Sequence, residues 1–180
     1  MYAMTNRKEE EFKIVIVRYR GSGKSNLVIR VVTSYFWEDY DPTIEGSYRK
    51  FIDLNKVRDC LINVLDTAGE ENIARYRSTI RNCDCVVIVY DVVGPYLPEE
   101  VINDYFSEVR RVCNVNILIA ETKTDLRCDF LNYKQNLDYV VNFCKQRNLC
   151  IIETSAKEDV NVDFLFTFAV YNLWFDSFED

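Results

Sequence analysis

The sequence predicts a three-layer α/β domain: a mostly parallel six-stranded sheet with helices on both faces. Three observations carry that expectation. Short β-branched runs alternate with longer segments of helical spacing, the pattern of a parallel sheet crossed by helices. A loop containing two glycines follows the first run directly. The length, 180 residues, suits one domain with a large core and is too short for two ordinary ones.

Residues 1–11 read as a flexible polar lead-in, and residues 12–178 as the folded domain. The first strand is expected at 12–17 (FKIVIV), followed by an apolar stretch at 26–34. Residues 48–54 and 60–65 bracket a polar turn at 55–59, which suggests an antiparallel hairpin. The runs CVVIVY at 85–90 and NILIA at 116–120 are continuously apolar, as central parallel strands are when both faces are covered. A shorter run follows at 149–152. Between these runs Val101, Tyr105, Phe106, Val109 and Val112 recur at helical spacing, as do Leu137, Val140, Val141 and Cys144. The last helix, 162–178, is apolar on nearly every side. It reads as a core helix or as a docking surface for a second domain or a partner.

Composition excludes several function classes. With 12 Tyr and 11 Phe but only three Pro and five Gly, the chain is built to fold. A net charge of −7 gains nothing from the phosphate field of DNA or RNA, so no nucleic-acid partner is expected. The absence of His removes Ser-His-Asp and Cys-His chemistry. Seven cysteines with no CxxC pair read as reduced thiols rather than a zinc site. The polar start lacks a signal-peptide core, and no apolar run reaches the ~20 residues needed to cross a bilayer. The last cysteine is Cys150 and the chain ends FED, so no lipid anchor is expected in this chain. The expected setting is cytoplasmic, with any peripheral membrane contact made through a partner or a further C-terminal segment.

Four segments carry chemistry, each placed at a strand end, where open α/β sheets bind ligands. RYRGSGKS at 18–25 supplies small residues whose backbone N–H groups close on phosphate, with Lys24 to reach the oxygens and the Ser25 hydroxyl for Mg²⁺. DTAG at 66–69 offers a carboxylate, Asp66, to hold Mg²⁺, and Gly69 to approach a terminal phosphate. TKTD at 122–125 offers Asp125, which can accept both hydrogens of the N1/N2 edge of guanine. ETSAK occupies 153–157.

Together with YDPTIEGSYRK at 40–50, these segments resemble the motifs of Ras-superfamily small GTPases over about residues 12–178. The fold implied is the P-loop G domain. The activity implied is a guanine-nucleotide switch that hydrolyses GTP to GDP, with roles in signal transduction or vesicle traffic. By that resemblance Gly21, Ser22, Gly23, Lys24, Ser25 and Asn26 would hold the phosphates, and Phe36 would pack against the base. Thr122, Lys123 and Asp125 would contact the base from one loop, and Ser155, Ala156 and Lys157 from another. Ser25, Thr43 and Asp66 would hold Mg²⁺. Lys24, Gly69 and Glu70 would carry the catalytic step. Contacts of the γ-phosphate with Thr43 and Gly69 would order two switch segments that relax after hydrolysis. The partners implied are effector proteins at those segments and an exchange factor.

Several positions depart from the family pattern. Arg18 stands where the phosphate loop begins with Gly, and Arg20 takes a position normally small. Glu70 replaces the Gln that orients water, bringing negative charge toward an anionic transition state. These changes imply slow hydrolysis; the alternative is a pseudo-GTPase interaction module with weak or no nucleotide binding. Thr122 replaces the commoner Asn, at an expected loss of one hydrogen bond, roughly 0.5–1.5 kcal/mol. Subfamily signals are mixed: switch I is Ras-like, TKTDLR resembles Rho proteins, and VYDV at 89–92 has a Rab-like character.

Overall fold

The computed structural model describes residues 10–17, 21–38, 46–54, 58–67, 76–127 and 130–176. Among the described residues six strands and five helices follow one another as β1 (Glu10–Val17), α1 (Lys24–Thr33), β2 (Gly46–Leu54), β3 (Arg58–Asp66), α2 (Arg77–Arg81), β4 (Cys85–Asp91), α3 (Pro98–Val112), β5 (Asn116–Thr122), α4 (Phe130–Arg147), β6 (Cys150–Glu153) and α5 (Val162–Asp176). A 3₁₀ turn, Thr124–Leu126, follows β5. The strands lie in the order β2-β3-β1-β4-β5-β6. Only β2 and β3 pair antiparallel, as the expected hairpin; the other pairs are parallel.

The uninterrupted apolar runs make sense because the sheet is covered twice. On one face Ile14, Ile16, Val87, Val89, Leu118 and Ala120 pack against Leu27, Val28 and Val31 of α1 and Leu165, Phe166 and Val170 of α5. On the other, their neighbours Val15, Val17, Val86, Ile88 and Ile119 meet Val101, Ile102, Tyr105 and Val109 of α3 and Val140 and Phe143 of α4. Successive side chains point to opposite faces, so every residue of such a run must be apolar.

The structure corrects several boundaries. Strand β1 begins at Glu10 rather than residue 12, because Glu10 and Glu11 pair with Cys60 and Leu61 of β3. Part of the expected lead-in is therefore sheet, and residues 1–9 lie outside the described residues. Strands β4 and β5 run on to Asp91 and Thr122, so polar motif residues end the strands instead of following them. Helix α2, with five residues, is too short to show a period. Helix α5 buries Leu165, Phe166, Ala169 and Val170 and exposes Phe164, Tyr171 and Phe175. Its uniform apolarity therefore conceals one inward and one outward face. Phe164 stacks on Phe168 with centroids 5.6 Å apart, and Tyr171 lies 4.4 Å from Phe175.

Candidate functional site

The residues that follow β1, the end of β5, the loop after β6 and the segment after α1 surround a cleft of about 460 Å³, within the ~300–1,000 Å³ usual for small-molecule sites. One end is the start of α1. Gly21 and Gly23 hold φ of 89° and 83°, a left-handed conformation that side chains with a Cβ rarely adopt. Gly23 caps the helix, and the free N–H groups of its first turn give this end a partial positive charge. Gly21, Ser22, Gly23, Lys24, Ser25 and Asn26 all line the cleft.

Beside this helix start, Lys24 Nζ lies 3.4 Å from Asp66 Oδ1, both side chains almost wholly buried. Burial pushes the Asp66 carboxyl above its usual range, while Lys24 and the Ser25 hydroxyl pull it down. Thr67 secures the strand end by donating its hydroxyl to Ile16 O at 2.8 Å. Among the described residues, Ser22 Oγ and Asn26 Oδ1, in two residues that line the cleft, are buried without a hydrogen-bond partner. Buried polar atoms seldom stay unpaired, so orphans around one cleft point to a polar ligand there. The donors offered, a hydroxyl and a carboxylate, are hard oxygens that suit Mg²⁺.

The other end is built from β5 and β6. Thr122, the last residue of β5, places its hydroxyl 2.7 Å from Ser22 O and 3.1 Å from Tyr90 O. The Thr122 side chain thus reaches the loop after β1. Lys123 adopts φ 58° and donates from Nζ to Gly21 O at 2.7 Å and to Asp91 Oδ2 at 2.8 Å. Asp91 was not singled out from the sequence, although an acid ending an apolar strand was the available signal. Gly94 lies against it so closely that an added Cβ would sit 1.8 Å from Asp91 Oδ1.

Asp125 Oδ1 accepts the Ser155 hydroxyl at 2.6 Å, and Ser155 Oγ accepts the Glu158 N–H at 3.0 Å. Ser155 itself is buried: it fixes Asp125 rather than lining the cleft. Phe36, Thr122, Lys123, Asp125, Ala156 and Lys157 do line it, as does Glu38, which approaches Lys157 at 4.0 Å. Of the residues singled out from the sequence, Thr43, Gly69 and Glu70 lie outside the described residues, as do Arg18 and Arg20.

A cleft formed by a glycine loop, a lysine–aspartate pair and a serine-fixed aspartate finds its counterpart in the Ras family, whose pattern matches residues 13–174. The chain belongs to the Ras family. It is 35% identical over 161 residues to Ras-like protein 1 of Saccharomyces cerevisiae, covering 87% of this chain and 50% of that protein. The chain thus spans about half the length of that relative. Within this Ras-family domain no described helix is long and apolar enough to cross a membrane.

Proposed function

We propose that the chain is a guanine-nucleotide switch that alternates between GTP- and GDP-bound forms and hydrolyses GTP slowly. The observation that carries this reading is the joining of two sites in one cleft. A helix start with Lys24, ion-paired to Asp66, and Ser25 faces the loops holding Asp125, Ser155 and Ala156. That spacing suits a nucleotide with phosphates at one end and base at the other, and membership of the Ras family supports it.

In this reading Lys24 neutralises the β/γ-phosphates while the N–H groups of residues 21–25 donate to them. Ser25 and Asp66, joined by Thr43, would hold Mg²⁺, which when bound neutralises charge on the phosphate oxygens. Asp125 accepts the N1–H and 2-amino hydrogens of guanine; adenine presents an acceptor at N1 and no 2-amino group. Lys123 lies along the ring, the Ala156 N–H meets O6, and Phe36 packs against the base. Glu70 orients water less well than Gln and adds negative charge to an anionic transition state, hence the slow hydrolysis. Effectors and an exchange factor would engage the segments around Thr43 and Gly69.

Mild denaturation of the purified protein, followed by chromatography of what it releases, tests the reading. Stoichiometric GDP or GTP supports it, and a large GTP fraction supports slow hydrolysis. Protein that is empty and ignores added GTP with Mg²⁺ overturns it in favour of a pseudo-GTPase interaction module.

A further inference from the structure

The two loops at the base end of the cleft are fastened together by charges lying behind it. Glu121, penultimate in β5, is 1% exposed, a rare position for a carboxylate unless it is paired. It accepts the Tyr90 hydroxyl of β4 at 3.0 Å and a guanidinium N–H of Arg127. Arg127 stands two residues beyond Asp125 and also meets the Glu153 carboxylate at 2.9 Å. Glu153 ends β6 and is the register partner of Glu121 in the parallel pair.

Two carboxylates facing each other across adjacent strands repel. Here they stand where β5 and β6 end and the Asp125 and Ser155 loops begin. A guanidinium, planar and always charged, can reach both at once. The backbone adds shorter ties: the Thr154 N–H and hydroxyl both donate to Glu121 O at 2.7 Å, and the Thr124 hydroxyl donates to Thr154 O at 3.1 Å.

We propose that Glu121, Arg127 and Glu153 form an ionic clasp that sets the separation of the Asp125 and Ser155–Ala156 loops, and so the selectivity for the 2-amino edge of guanine. The inference rests on the guanine-nucleotide reading. The three are positioning residues acting through Asp125, and none of them lines the cleft.

The test compares GDP with inosine diphosphate, which lacks only the 2-amino group. One hydrogen bond to a charged group corresponds to about 10–100-fold in affinity, so the native protein should prefer GDP by about tenfold or more. Arg127→Ala should reduce that preference to within about threefold, weakening GDP binding more than inosine diphosphate binding. Arg127→Lys, keeping the charge without the fork, should fall between. Adding Glu153→Gln to Arg127→Ala removes the facing charge and should recover part of the preference. Melting temperatures establish that each variant is folded. Equal weakening of both nucleotides, or an unchanged preference, in folded Arg127→Ala overturns the clasp. Should that variant not fold, an unchanged preference in Arg127→Lys overturns it. Native protein that binds neither nucleotide instead refutes the guanine reading, and the clasp falls with it.

Discussion

The Thr122 hydroxyl lies 2.7 Å from the carbonyl oxygen of Ser22, joining the base end of the cleft to the phosphate end. Thr122→Val keeps the shape and removes the donor. Release of a fluorescent GDP analogue should then quicken by about 3–10-fold, the equivalent of one neutral hydrogen bond. An unchanged rate means the loop after β1 holds its position without Thr122.

Gly94 presses on Asp91, and Asp91 in turn holds Lys123 at 2.8 Å. Gly94→Ala should drive the Asp91 carboxylate aside, costing about 1–2 kcal/mol of stability through the broken, largely buried pair. Denaturant unfolding measures the loss, and a native midpoint counts against the arrangement. The double variant Gly94→Ala/Asp91→Ala should lose little beyond Asp91→Ala alone, since both changes remove the same contact.

Burial raises the Glu121 carboxyl above its usual range, opposed by hydrogen bonding and charge from Arg127 and hydrogen bonding from Tyr90, and reinforced by Glu153. Arg127 is raised by its two carboxylates and is less deeply buried. With the folded value above the unfolded one, this group's stabilising contribution is full below the ordinary glutamate range. It is lost as pH rises through the folded value. The melting temperature of Glu121→Gln, relative to native protein without nucleotide, should therefore climb as pH rises above the ordinary glutamate range. A flat difference would sink this expectation.

Glu70 is expected to slow hydrolysis by adding charge near the transferred phosphate. Glu70→Gln should accelerate single-turnover GTP hydrolysis by about tenfold, corresponding to ~1.4 kcal/mol of barrier. No acceleration would place the block elsewhere, with Arg20 the next position to change.

Trp37 is 55% exposed between Glu38 and Phe36, two residues that line the cleft, and its ring meets Tyr35 edge-on at 6.3 Å. Nucleotide loading should change its emission, and Trp37→Phe should abolish the change, leaving Trp174 as a constant background. A full signal in that variant would show that the change arises at α5.

The cleft was legible in the sequence to the extent that its chemistry depends on residue type. Lys24, Ser25, Asp66 and Asp125 are the groups such a ligand demands, and they fall at strand ends that the apolar runs already mark. What stayed hidden depends on register. Glu121 reads as a stray charge at the end of an apolar run until pairing sets it opposite Glu153. That the Ser155 hydroxyl fixes Asp125 shows only once the two loops are set side by side. The two faces of α5 were equally opaque, because a helix apolar all round has no amphipathic period to say which side turns inward.

The ties that complete the cleft span great lengths of chain: Thr122 and Ser22 are 100 residues apart, Lys123 and Gly21 102. Closing such long intervals is entropically slow and must precede any reward from the contacts. During synthesis the glycine loop therefore leaves the ribosome far ahead of the residues that hold it. A nascent chain ending before Thr122 lacks the Asp125 and Ala156 loops, so competence for ligand should arrive late and abruptly, as β5 and then β6 join the growing sheet.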